Sequence, residues 1–236
     1  MTSPTRTALL VLAGVGLLAA REPAAAQAAK PTVAIMYFNN NVFTKDARDY
    51  DGLTKGVPDF LVSEMSSNPN IRVVERDQVQ KLIDEQKLTS GGQVDRETAV
   101  RIGKLLGAQH MIFGGFMADP KGNFRIDCRA VNVETGAIEY TDRVQDHGDN
   151  VMALIGQLAG HLNSGLKLGS PTRTGDAGGP AVTRLPMRVA VLYGKALDMA
   201  DKGDKAKAVE LFGAVLKEFP DYAPAKSGLA KVKPGS

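Results

Sequence analysis

Between Pro31 and Gly107 the spacing of apolar residues switches from strand to helix and back, and that order leaves few folds open. Thr32 to Phe38 (TVAIMYF) is a compact apolar run suited to a central strand. Leu53, Val57, Phe60, Leu61 and Met65 then recur at helical spacing and define one buried face. Asn68-Pro69-Asn70 stops that helix, because proline disfavours the helical region for the residue before it. Ile71 to Glu75 is a second short strand. Asp77 is the expected N-cap of the next helix, its carboxylate accepting from the free amides of the first turn, and this helix buries Val79, Leu82 and Ile83. Gly91-Gly92 breaks the chain. Asp95 caps a third helix carrying Val100, Ile102, Leu105 and Leu106, which Gly107 ends as a C-cap glycine.

From His110 the period becomes two. Met111 to Met117 is an apolar strand, and ADPKGN is a tight turn. In FRIDCRAVNV, Phe124, Ile126, Cys128 and Ala130 face in while Arg125, Asp127 and Arg129 face out. ETG turns the chain again into AIEYTDRV, which completes a meander with one solvated face. Asn150 to Leu168 is an amphipathic helix with Val151, Leu154, Ile155, Leu158 and Leu162 on its buried stripe. The expected fold class is therefore α/β (α+β) over residues 30–168: a mixed sheet of about five strands with packed helices, followed by a small all-α segment.

The flanks differ in kind. Residues 1–28 read as a signal peptide: Arg6 supplies a basic start, Ala8 to Ala20 is apolar but short for a bilayer span, and A-x-A patterns follow at Ala24–Ala26 and Ala26–Ala28. Arg21 and Glu22 make the cleavage region polar and keep an uncleaved anchor open as the alternative. Residues 169–186 (GSPTRTGDAGGPAVTRLP) have linker composition, and a flexible coil of that length would span roughly 23 Å, leaving its neighbours to move semi-independently. Residues 187–233 resemble one tetratricopeptide (TPR) repeat plus a capping helix, on Leu192, Ala196, Gly203, Ala208, Phe212 and Pro220. One such repeat cannot bury its face alone. It must pack on the first domain, pair with a copy, or bind a partner helix.

VAIMYF with a following Asn, VVER at Val73 to Arg76, Glu85-Gln86, GKLLGA at Gly103 to Ala108, and RAVNVETG at Arg129 to Gly136 together resemble the CsgG-like family, over roughly 30–168. The family consists of bacterial cell-envelope proteins, including an outer-membrane secretion pore, and a similar core occurs in the N-terminal domain of TolB. The resemblance implies a periplasmic setting. It also marks two departures. No cysteine follows the apolar leader, so the family's usual lipid-attachment site is missing. The pore former inserts one long hairpin within the meander and one after it, and neither Ala118 to Asn123 nor the step after Val144 has room for the 9–11-residue strands a barrel needs.

The chemistry-bearing residues form no catalytic pattern. Net charge is +3 with acids and bases interspersed, and aromatics are 6% of residues, which argues against single-strand nucleic-acid platforms. His110, His147 and His161 are scattered at no metal-ligand spacing. TSGGQ (Thr89 to Gln93) and IFGGF (Ile112 to Phe116) lack the context of a phosphate loop, so turn and close-packing glycines are expected. The single Cys128 reads as a small core hydrophobe. Glu75-Arg76-Asp77 is the densest charged cluster, either a carboxylate pair flanking an arginine in a site or a helix cap with a local ion pair, the latter favoured.

No catalytic, cofactor-binding or metal residue is assigned. The expected function is a non-enzymatic periplasmic accessory or adaptor in envelope assembly or secretion, whose partners are envelope or secretion proteins. No nucleic-acid partner and no integral membrane insertion are expected; homo-oligomerisation and peripheral outer-membrane association stay open. The alternative is an oligomeric ring component of a curli-type outer-membrane secretion apparatus.

Overall fold

The computed structural model describes residues 29–86, 94–119, 121–147, 150–169 and 185–233. The signal-peptide reading, the TSGGQ glycines and nearly all of the linker lie outside them. Five strands form one sheet in the order β2-β1-β3-β4-β5: β1 (Thr32–Asn40), β2 (Arg72–Val73), β3 (His110–Ala118), β4 (Asn123–Asn132) and β5 (Ile138–His147). β1 pairs parallel with β2 and β3, and the β3-β4-β5 meander is antiparallel. The mixed five-stranded α/β class is as expected.

The middle of β1, Val33 to Phe38, is buried because it is covered on both faces. Val33, Ile35 and Phe38 join the core beneath α1 (Leu53–Met65) and α4 (Val151–Gly165). Ala34, Met36 and Tyr37 join a second core with α2 (Arg76–Glu85) and α3 (Arg96–Leu106). A register shift between Ile35 and Phe38 puts the adjacent Met36 and Tyr37 in the same cluster. In β4, Phe124, Ile126, Cys128 and Ala130 are buried beneath α4, as the alternation requires. Burial raises the Cys128 thiol far above its ordinary pKa, which keeps it an inert packing group.

Helix ends follow the sequence with two corrections. Asp95 accepts from the Thr98 amide, and Gly107 closes α3 at φ +63°, a left-handed conformation that suits glycine. Asp77, however, is not a cap: Glu75 occupies that position in extended backbone without a side-chain bond, and Asp77 sits in the first turn, turned toward neighbouring cations. Leu105 is exposed rather than buried; Ala99, Ile102 and Gly103 form the inner stripe of α3, so the packed face is rotated from the apolar count.

Three further helices, α5 (Met187–Asp201), α6 (Lys205–Glu218) and α7 (Ala223–Val232), follow the core, with Ala196, Ala208 and Phe212 buried between them. Of the three ways open to so small a helical unit, the structure takes the first. α5 lies on α1, so a docked arrangement replaces the expected semi-independent one.

Candidate interaction site

The seam between the core and the C-terminal helices is built from close backbone approach. A Cβ on Gly194 would lie 1.8 Å from the Gly52 carbonyl oxygen, and one on Gly52 would lie 2.2 Å from the Val191 carbonyl oxygen. Only glycines allow α5 to approach the start of α1 so nearly. Beside that contact Tyr193 of α5 gathers aromatic rings from both sides: Phe60 of α1 at 5.5 Å, Phe212 of α6 at 6.0 Å, and Tyr222 at 5.4 Å. Its hydroxyl donates to Asp59 Oδ2 at 2.6 Å.

Behind the aromatic hub lies a charged network drawn from α1, α2 and α5. Arg76, only 5% exposed, donates from Nη1 and Nη2 to the two carboxylate oxygens of Asp201 at 2.8 and 3.1 Å. Its Nη2 also reaches Asp77 Oδ1 at 2.8 Å, and its Nε stands 3.4 Å from Asp59 Oδ1. Lys55, 3% exposed, lies 3.1 Å from Asp201 and donates to Tyr37 Oη at 2.6 Å and to Gln80 Oε1. Its ammonium also sits 3.8 Å from the centre of the Tyr37 ring. At the surface Lys231 of α7 donates to Asp77 Oδ2 at 2.7 Å.

The proton affinities follow from burial and pairing. Burial lowers the pKa of Lys55, opposed by the attraction of Asp201. Burial also works against the charge of Arg76, but its bonds to Asp201 and its carboxylate neighbours more than offset this and hold it protonated. Asp59 is raised by burial against the Tyr193 hydrogen bond, and Asp77 is lowered because the Lys231 and Arg76 contacts outweigh its partial burial. Each buried cation thus has a carboxylate partner. This is the chemistry of a lock between elements.

A cleft of about 540 Å³ opens over this network. Val62, Tyr193, Leu197 and Phe212 give it apolar walls; Ser66, Ser227 and Lys231 stand at its polar margin. Of the cluster singled out in the sequence, all three residues line this cleft, but only Arg76 and Asp77 join the network; Glu75 is exposed, and the arginine's further carboxylate partners are Asp59 and Asp201. Sequence reasoning missed Lys55, Asp59 and Asp201. The available signal was the pair of small residues in register: Gly52 and Gly56 on one helix, Ala190 and Gly194 on the other.

The histidines stay apart. His110 Nδ1 pairs with Glu139 at 2.5 Å, His161 Nδ1 pairs with Asp142 at 2.7 Å, and the His147 ring packs on Gly122. Gly114 and Gly115 are close-packing glycines, since Cβ atoms there would meet the Asp127 carbonyl oxygen at 2.1 Å and the Asn41 side chain at 2.4 Å.

Residues 19–119 match the family model described as curli production assembly/transport component CsgG. Over this stretch the chain is similar to that family. The match ends at the β3–β4 turn, so it takes in β1 to β3 and α1 to α3, while β4, β5 and the last four helices lie beyond it. Similar solved structures include the LpoB C-terminal domain from Salmonella enterica, at 13% identity, TM-score 0.36, 50% of this chain and 83% of that one. The lipoprotein GNA1162 from Neisseria meningitidis is similar at 12% identity, TM-score 0.39, 59% and 99% coverage. The PelC dodecamer from Paraburkholderia phytofirmans is similar at 11% identity, TM-score 0.37, 59% and 89% coverage. No curated protein matches the chain. The matched stretch thus contributes Asp59, Arg76 and Lys55 to the seam, and the helices beyond the match contribute Tyr193, Asp201 and Lys231.

Proposed function

We propose that this chain is a non-enzymatic periplasmic CsgG-like protein that serves as an accessory or adaptor in cell-envelope assembly or secretion through protein–protein contacts. The observation that carries the reading is the CsgG match over residues 19–119. Three features support it. No helix among the described residues is long and apolar enough to cross a membrane. The steps where a pore former would insert hairpins are short: residues 119–122 join β3 to β4, and residues 148–150 join β5 to α4. The buried charges of the seam are paired with one another rather than poised for chemistry. In this proposal residues 1–28 are a signal peptide, 30–168 the CsgG-like domain, 169–186 a linker and 187–233 a TPR-like docking unit.

Cross-linking in the envelope tests the reading. A photoreactive residue at Ser227, on the cleft margin, is expected to capture a discrete envelope protein from cells, and one at exposed Lys81 on α2 to capture none. A cytosolic distribution of the chain, or identical cross-linking from both positions, contradicts the adaptor role.

One observation favours a second reading, the oligomeric ring component. β5 ends the sheet, and its outer edge has no partner strand among the described residues. Sedimentation velocity decides between them: a strict monomer at high concentration removes the ring.

A further inference from the structure

The outer face of β4 and β5 carries an arginine cluster that the seam does not use. The α2–α3 layer covers β1, β3, the end of β4 at Val131 and the following Val133, and leaves the rest of this face open. There Asp127 lies opposite Arg143 across the strands, and Arg129 lies opposite Thr141. Asp127 accepts from Arg125 Nε with one carboxylate oxygen and from Arg143 Nε with the other, each at 2.7 Å. It therefore holds two guanidinium groups side by side by their inner nitrogens. Their outer Nη groups have no partner among the described residues. Arg129, exposed two residues along the strand, forms no ion pair among them either. Residues two apart on a strand are roughly 6.8 Å apart and cross-strand neighbours about 5 Å, so the three guanidinium groups share one compact, flat patch.

We propose that this face binds the phosphate oxyanions of anionic lipid headgroups. Guanidinium forks match phosphate oxygens in pairs, and fixing the arginines by Nε leaves the matching edge outward. An acidic polypeptide would need a groove for its backbone or an apolar anchor, whereas the flanking residues on β5 are Thr141 and Gln145 on an open sheet. A layer of headgroups that move independently needs neither. The inference rests on the envelope reading above, which puts anionic lipid within reach.

Vesicle co-sedimentation of the full chain tests it, comparing phosphatidylglycerol–phosphatidylethanolamine with phosphatidylcholine at low and high salt. Residues 1–28 are common to every sample, so the readout is the difference between compositions and between variants. Arg129→Gln removes no internal contact and is expected to weaken anionic-vesicle binding about five-fold, the loss of one arginine near a charged surface. Arg125→Gln, Arg129→Gln and Arg143→Gln together are expected to weaken it on the order of a hundred-fold, with an unchanged circular dichroism spectrum. Lys217→Glu on α6 is expected to bind as the parent does. Equal binding by the parent and the triple variant overturns the proposal, as does equal parental affinity for both vesicle types. Tighter binding to soluble polyglutamate than to vesicles also overturns it, in favour of an acidic polypeptide. Cross-linking at Ser227 reports separately on the adaptor reading, so the two fail independently.

Discussion

Replacing Arg76 by alanine would leave Asp59 in a low-dielectric seam without its buried cation and Asp201 with Lys55 alone. Removing one partner of a buried pair typically costs about 3–5 kcal/mol, because the remaining charge is stranded. Arg76→Ala is therefore expected to lower the unfolding free energy by about that amount in urea titration, while Lys231→Ala, at the exposed end of the network, shifts it by less than about 1 kcal/mol. A similar loss for both would mean that burial is not what gives Arg76 its weight. Tyr193→Phe keeps the aromatic hub but removes the donor to Asp59, and is expected to cost about 1–3 kcal/mol. Asp77 gives the pH dependence its sign. Its pKa is lowered in the folded chain, so its stabilisation is complete above the unfolded carboxylate value of 3.8 and is lost as pH falls through the lower folded value. Asp77→Asn should flatten the acid limb of a stability–pH curve; an unchanged limb would contradict the pairing with Lys231 and Arg76.

At the scale of elements, the helix pair α1–α5 depends on the absence of side chains at its crossing. Gly194→Ala drives a methyl into the Gly52 carbonyl, and overpacking of this kind costs about 1–3 kcal/mol. Faster hydrogen exchange in α5 is the expected signature. Gly156→Ala in α4, where a Cβ meets nothing within 4 Å, should instead stabilise by about 0.5–1 kcal/mol, measured by thermal melting. The strands and helices were readable in the sequence because period and punctuation agree: TVAIMYF lies between two helical layers, and FRIDCRA has one covered face. The rotation of α3 was not readable, since Val100, Leu105 and Leu106 outnumber the small residues Ala99 and Gly103 that make the contact. Nor was the irregularity that puts Met36 and Tyr37 on one side of β1, because both residues are apolar in either register.

For the whole molecule, the candidate site was half legible. Arg76 and Asp77 announce themselves as neighbours in the chain, but Asp201 comes from 125 residues away, and nothing local to it marks a buried ion pair. Lys55 falls within an amphipathic helix where a lysine normally marks the solvent side. What joins these residues is the seating of α5–α7 on the sheet and its helices, which makes one continuous apolar cluster from the sheet through α1 to Phe212 and Tyr222. That continuity is the central claim, and native-state hydrogen exchange on the full chain tests it most directly. If core and helices form one cooperative body, the slowest amides of α1 and α5 will open with the same free energy and respond equally to Arg76→Ala. If α5–α7 open at markedly lower free energy while α1 stays protected, the helices are an independent appendage and the account is wrong.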